Sequence, residues 1–366
     1  MLGSPLMLRF GLSLLGLSLL GLSSLLACGR TTTDAPAGGG GGGDGGGSGG
    51  TTTTEFGVVA QSCDGLAESC QGESCCTSIV VPGGTFTMGD DALLGGGSAP
   101  AHRVTLDDFA LDKYEVTIGR YRRFIAAYDG TPPPEGAGFH EHVPEGTGWQ
   151  TRWNKALPAT RQALLDIIDK RQNATATDWS WTPEPGPNET HPIGILSWSL
   201  AAMFCIWDGG RLPTDAEWEY AATGGDEERP FPWGSTPSAA QQPLPCDYAN
   251  FNWFMCAPGA SLAEARRPLL PVGSFPKGVG RWGHHDLSGN AARELAFDSY
   301  LSGRPVEAWE RLSEKNPIYL AVAVEEERVM RDAGVGTPLY RQGTSARGTD
   351  AYKGLRCARA KDKLPQ

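Results

Sequence analysis

Cations are scarce in this sequence. Lys and Arg total 31 against 42 Asp and Glu, giving a formal charge of −11. An acidic surface offers little to a phosphate backbone or an anionic membrane face, so nucleic acid is excluded as a partner class. No C-x-x-C pair occurs among the nine cysteines, and the adjacent Cys75-Cys76 is a poor chelating spacing, so a cysteine-held zinc is not expected. Outside the glycine run, where Gly46 to Gly50 matches it by composition alone, the nucleophile-elbow pattern G-x-S-x-G is missing as well. From Cys256 to Cys357 no cysteine intervenes. Past Gly224 regular apolar periodicity also runs out, and "FPWGS", "CDYANFNWFMC" and "PVGSFPKGVGRWGHHDLSGNAARELAFDSY" follow. Irregular backbone of this kind stays ordered through aromatic packing, disulfides or bound cations.

What is present begins with an export signal. Arg9 precedes an apolar run from Phe10 to Ala27 that ends in Leu25-Leu26-Ala27-Cys28. That ending resembles a bacterial lipobox, so residues 1–27 are expected to be removed and Cys28 to carry lipid. Residues 28–57 read as a tether, with the run "GGGGGGDGGGSGGTTTT" and almost no apolar side chain to bury. A flexible coil of this length spans roughly 25–30 Å. The expected location is the bacterial cell envelope, with the membrane as a partner through the N-terminal lipid. The roughly 300 residues beyond the tether suffice for a large core.

With Cys28 assigned to lipid, eight cysteines remain: Cys63, Cys70, Cys75, Cys76, Cys205, Cys246, Cys256 and Cys357. An even number in an exported chain reads as disulfides. Residues 58–78 form a cysteine-rich lead-in with little apolar content, which needs covalent staples. Neighbouring cysteines rarely pair with each other, so Cys75 and Cys76 each take one of Cys63 and Cys70, in an order the spacing leaves open.

The main domain is read from residue 79 to 360. "IVVPGGTFTMGDD" and "AHRVTLDDFALDKYEVT" have strand-like alternation around turns. In "TIGRYRRFIAAY", Tyr121, Phe124, Ile125 and Tyr128 share one helix face. Residues 129–192 are turn-rich and read as a variable insertion or irregular surface layer, with one helix in "TRQALLDIIDKRQ". In "SWSLAAMFCIWDGG", Trp198, Ala201, Ala202 and Cys205 form a buried stripe, and Gly209-Gly210 supply a helix stop. Thr214 to Glu217 spells a capping box that starts the next helix, with Asp215 and Glu217 also suited to the helix dipole.

These segments carry a resemblance. "VPGGTFTMGDD", "HPIGILSWSLAAMFCIWDGGRLPTDAEWEYAATGG", "FPWGS", "PVGSFPKGVGRWGHHDLSGN" and "GLRCA" resemble, in order, the sulfatase-modifying-factor domain of formylglycine-generating enzymes. The resemblance implies an α+β fold related to C-type lectins, with little regular structure and long ordered loops. It also implies a disulfide between Cys205 and Cys357, and calcium at the loop "DLSGN". There Asp286 would be a side-chain ligand, with carbonyls from Gly289 and Ala291. Arg293 stands where the family has a Glu ligand, and Glu294 comes one residue late. Asn250 resembles part of a second calcium site.

The family's oxidase binds copper(I) through two cysteines near the C-terminus, after a segment resembling R-V-x-R-G-G-S-W. Soft thiolates are what that ion requires. Here Arg328, Val329 and Arg331 match, Asp332-Ala333-Gly334 replaces Gly-Gly-Ser, and the cysteine pair is missing. Copper is therefore not expected, and neither is a catalytic residue of the family's kind. Related domains occur in ergothioneine-pathway sulfoxide synthases, whose iron-binding histidines come from a separate domain. His284-His285 read as structural, because adjacent side chains diverge, and His102 as a packing residue. The expected function is binding or assembly at the envelope, with a protein, peptide or glycan ligand. Most of the eleven tryptophans are expected in the core, because aromatics are the main buried area in a fold short of helices, and loop tryptophans such as Trp233, Trp253 and Trp282 are the candidates to stack on a ligand. The alternative is a divergent oxidoreductase of the same family.

Overall fold

Among the described residues six short strands come first, then four helices, then four more strands. The computed structural model describes residues 60–91, 100–174, 181–235, 246–251, 268–291, 293–300, 312–320, 326–331, 337, 339–348 and 353–363, the side chains of 171–174 excepted. The signal peptide, Cys28, the tether, Trp253 and Cys256 lie outside these residues.

The chain enters through a 3-10 turn at Gln61–Cys63 and a two-rung hairpin of β1 (Ser69–Cys70) and β2 (Glu73–Ser74). Disulfides Cys63–Cys76 and Cys70–Cys75 close it, which resolves the order left open by the spacing. This lead-in is bonded into the main domain. Ser62 N–H donates to Asp208 Oδ1 at 2.8 Å, Arg120 Nε donates to Ser62 Oγ at 3.0 Å, and Gln71 Nε2 reaches the Val272 carbonyl at 3.1 Å.

Next come β3 (Ser78–Val81), β4 (Gly84–Met88), β5 (His102–Leu106) and β6 (Phe109–Asp112). The Pro-Gly-Gly turn does not make a hairpin of its flanking strands. It moves the chain between sheets, because β3 pairs with β6 while β4 pairs with β5, both antiparallel. Helix α1 (Ile118–Ala127) is capped by Thr117, whose hydroxyl accepts from Arg120 N–H. Helix α2 (Arg161–Ala174) buries Leu164 and Ile168. Helix α3 (Trp198–Trp207) stops at Asp208, with Gly209 at φ 81°, a left-handed value that glycine supplies without strain. Helix α4 (Asp215–Thr223) has the expected capping box between Thr214 and Glu217.

The C-terminal part adds β7 (Glu294–Ser299), β8 (Glu327–Arg331) and β9 (Arg341–Ser345) in one antiparallel sheet. Strand β10 (Ala358–Arg359) returns to pair with β6, opposite β3. The fold is α+β, as expected.

Trp198, Ala201, Ala202 and Cys205 are buried as expected, and burial extends to every residue of 198–205, with Ile206 and Trp207 partly exposed; α4 is buried throughout. One expectation of burial needs correcting. Segment 129–192 is not a mere surface layer. It sends Trp149, Trp153, Leu164, Ile168 and Trp181 into the main core, where Trp149, Trp153 and Trp198 meet edge to face at 5.0–5.5 Å. In a fold with short helices, large rings provide the buried area that regular packing would otherwise supply.

Candidate functional site

The place to look for the family's chemistry is the C-terminal segment, and its cysteine is already committed. Cys357 precedes β10 and is joined to Cys205 of α3, with a Cα–Cα separation of 5.5 Å and both residues fully buried. Cys246 is also disulfide-bonded, its partner lying outside the described residues. Among the described residues every cysteine is therefore in a disulfide. A thiolate needs a free, exposed sulfur, and these residues offer none.

Around that staple the structure gathers buried charge. Arg331, at the end of β8, pairs with Asp215 and reaches Glu219 at 2.7 Å, and Arg341 of β9 reaches the other Asp215 oxygen at 2.7 Å. Asp298 of β7 accepts from Asp215 N–H at 2.8 Å and Tyr319 N–H at 2.7 Å. Both guanidiniums are taken by Asp215 and Glu219. Burial, and then the Asp215 charge, push the Asp298 carboxyl up to about 7. Asp298, Asp215, Arg341, His102 and Tyr319 line a narrow cleft with Met88 and Ala216. Asp298 is one of its lining residues, and a carboxyl raised toward neutrality by burial suits an acid, a base or a cation seat.

The opening of α4 is more than a cap. Glu217 accepts from Thr214 N–H at 2.8 Å and holds Arg211 through two bonds of 2.7 Å, while His140 Nε2 lies 3.2 Å away. The Arg211 guanidinium keeps the Glu217 carboxyl well below the usual range despite full burial. A second network joins Asp112, Arg120, Asp208 and Arg359, all buried, with Arg120–Asp112 at 3.0 Å and Arg120–Asp208 at 2.7 Å. Sequence reasoning saw Asp215 and Glu217 as dipole and cap residues. Their partners are distant in the chain, and no local pattern announces them.

The five residues expected at calcium are brought near one another but are engaged elsewhere. Asp286 Oδ2 accepts from Gly273 N–H at 2.6 Å. The Ala291 carbonyl accepts from Arg293 N–H at 2.6 Å. Glu294 is gripped by Arg356 at 2.6–2.9 Å and by the Trp218 indole at 2.8 Å. Gly289 at φ 85° packs on the Asn250 backbone, and Asn250 Nδ2 donates to the Pro268 carbonyl at 3.0 Å, leaving its buried Oδ1 without a partner. In this arrangement Glu294, gripped on both oxygens, is the least available of the five to a cation, while the Ala291 carbonyl accepts one bond and keeps a second lone pair. Among the described residues no three His, Cys, Asp or Glu side chains converge as metal ligands.

The residue that sequence reasoning missed here is Glu115, which accepts from Ala291 N–H and Asn290 Nδ2 at 3.0 Å each. Burial, with Asp286 and Glu294 beside it, raises its carboxyl well above the usual range, and burial lifts Asp286 to about 6.

His284 and His285 diverge, as adjacent residues do. His284 is fully buried and depressed to about 3, chiefly by desolvation; His285 stacks on Tyr114 at 5.1 Å and is depressed to about 4. Both are neutral imidazoles at physiological pH. Of the loop tryptophans, Trp233 stacks on Phe231 at 4.9 Å and Trp282 on Tyr220 at 5.3 Å, each half-buried.

Comparison with known proteins adds the context. A family model described as "Sulfatase-modifying factor enzyme 1-like domain" matches residues 64–361. The formylglycine-generating enzyme of Bos taurus is 33% identical over 229 residues, covering 58% of this chain and 55% of that one. The inactive C-alpha-formylglycine-generating enzyme 2 of Mus musculus is 31% identical over 220 residues, covering 58% and 66%. Hercynine oxygenase of Mycolicibacterium smegmatis is 30% identical over 224 residues, covering 58% and 44%. The chain thus spans between 44% and 66% of the length of these curated relatives. In fold it resembles PvdO from Pseudomonas aeruginosa, with a TM-score of 0.50, 18% identity, and coverage of 77% of this chain and 94% of that one.

Proposed function

Because the chain belongs to the sulfatase-modifying factor enzyme 1-like domain family, we propose that it is a cell-envelope lipoprotein displaying this domain as a non-catalytic module for binding or assembly. One observation carries the reading. The single cysteine of the C-terminal segment, Cys357, is closed into a buried disulfide with Cys205. The thiolate pair that copper(I) and oxygen chemistry would need has no source there. That a relative is itself named inactive agrees with this. Cys28 supplies the lipid anchor and residues 29–57 the tether. The ligand is a protein, peptide or glycan met by loop aromatics, for which Trp282, flanked by Tyr220 and Arg281, is the best-placed platform.

A second reading, a divergent oxidoreductase, draws on the Asp298 cleft, where a carboxyl poised near neutrality lies beside His102 and Tyr319. One experiment separates the two. The full chain is purified oxidised, its metals are measured, and it is incubated with a Cys-x-Pro-x-Arg peptide under oxygen. Formylglycine in the peptide, or a redox metal at stoichiometric amount, sinks the binding reading. An unmodified peptide and a chain without redox metal support it. Intact-mass labelling of lipid at Cys28 tests the anchor.

A further inference from the structure

Arg328 is the exception among the buried arginines. Arg120, Arg211, Arg331, Arg341, Arg356 and Arg359 each have a carboxylate at ion-pair distance. Arg328 lies in the middle strand β8, is fully buried, and has no such partner among the described residues. Its Nη1 donates to the Phe297 carbonyl at 3.1 Å. Its guanidinium lies over Trp198, 3.7 Å from the ring centroid, with Trp153 at 5.1 Å. The remaining edge, Nε and Nη2, is buried and donates to nothing.

That edge has a particular shape. Nε–H and one Nη2–H run parallel, and they form the fork that grips a carboxylate through two bonds. Glu326 and Asp298 act on Arg328 as nearby charges, but neither reaches it at ion-pair distance among the described residues. Burial lowers the guanidinium to about 9, and Glu326 and Asp298 offset that only in part, so it remains charged at neutral pH. Arg152, at the exposed rim, lies 5.8 Å from the centroid of the same Trp153 ring, so two cations flank one indole. A buried cation with an open bidentate edge calls for an anion.

We propose that the Nε/Nη2 edge of Arg328 seats the carboxylate of a ligand, held against the Trp153–Trp198 pair. The carboxylate comes from a small acid or from the acidic end of a peptide. This site is independent of whether the domain retains any oxidase chemistry, and it goes beyond the binding role proposed above by specifying the chemistry recognised.

The test uses the full chain in detergent, with tryptophan emission and the thermal midpoint as readouts. Sodium acetate is titrated against sodium chloride at constant ionic strength. A peptide ending in a free carboxylate is compared with its C-terminal amide. The wild type responds saturably to acetate, to the acid peptide or to both. A peptide response much tighter than the acetate response assigns the source to a peptide, and the reverse to a small acid. Arg328→Lys keeps the charge but loses the fork and weakens the response about tenfold or more. Glu326→Gln preserves it and tightens it by removing a competing negative charge. No saturable response in the wild type, or an equal response in Arg328→Lys, overturns the proposal. Arg328→Met, where it folds, abolishes the response; retention of the full response there overturns the proposal too.

Discussion

Arg211 and Glu217 face each other through two parallel hydrogen bonds of 2.7 Å, both side chains buried, while the same Glu217 carboxylate accepts the Thr214 N–H that begins α4. One carboxylate thus serves as helix cap and as counter-ion to a guanidinium that also reaches Glu141 at 3.1–3.2 Å. The two roles cannot be removed separately. Glu217→Ala strips the cap and leaves Arg211 short of a partner, so it destabilises by about 3–5 kcal/mol. The double variant Arg211→Met/Glu217→Met loses less than Glu217→Ala, because no uncompensated charge remains. Urea unfolding of the three proteins checks this; a loss under about 1 kcal/mol in Glu217→Ala contradicts it.

The disulfide between Cys205 and Cys357 closes a loop with a sequence separation of 152 residues. A loop of that size stabilises by about 5 kcal/mol in the chain-entropy model. Cys205→Ser/Cys357→Ser therefore lowers the denaturant midpoint substantially. On the non-catalytic reading it leaves the metal content and the peptide assay unchanged. A gain of copper binding in the wild type after mild reduction is the outcome that contradicts this account.

Stability should depend on pH through Asp298. Its carboxyl stands at about 7 when folded, against about 4 when unfolded. The folded state therefore holds an extra proton between those values, and stability falls as pH rises from about 4 to 7, by up to about 1.4 kcal/mol per unit. The burial-depressed His284 and His285 act in the opposite sense below about pH 6.5. Asp298→Asn removes the titration together with one of the two acceptors for the Asp215 and Tyr319 N–H groups, so the pH dependence of its difference from wild type, not the size of that difference, reports on the carboxyl. The variant's midpoint relative to wild type should rise with pH from about 5 to 7 and level off above that. A wild-type-minus-variant difference that is flat in pH excludes the assignment.

Gly289→Ala tests the close approach of the "DLSGN" loop to Asn250. At φ 85° a Cβ there would sit 2.8 Å from the Asn250 carbonyl oxygen. Backbone strain of this kind costs about 1–3 kcal/mol. The variant should melt earlier and gain proteolytic sensitivity; an unchanged midpoint shows that the loop is free to move.

Much of this molecule was legible locally. The capping box at Thr214–Glu217, the Gly209 stop, the strands flanking the Pro-Gly-Gly turn and the face of α1 follow from side-chain chemistry within a few residues. The resemblance gave the Cys205–Cys357 pair, and the even cysteine count gave the stapled lead-in. Less was legible in segment 129–192, whose turn residues suggested a surface layer although its tryptophans enter the core. A tryptophan in a Gly/Pro-rich stretch carries no periodicity that tells inside from outside.

By itself the sequence determined where the chain turns, which residues cap its helices, and that its C-terminal segment lacks a thiol pair, since each of these depends on neighbours in the chain or on composition alone. Only the tertiary structure decided the partners of the buried charges. Asp215 is met by Arg331 and Arg341, Glu294 by Arg356, and Asp112 and Asp208 by Arg120 and Arg359, while Arg328 is met by no carboxylate among the described residues. An ion pair depends on distance and desolvation, and residues a hundred positions apart come together only when the core closes around them.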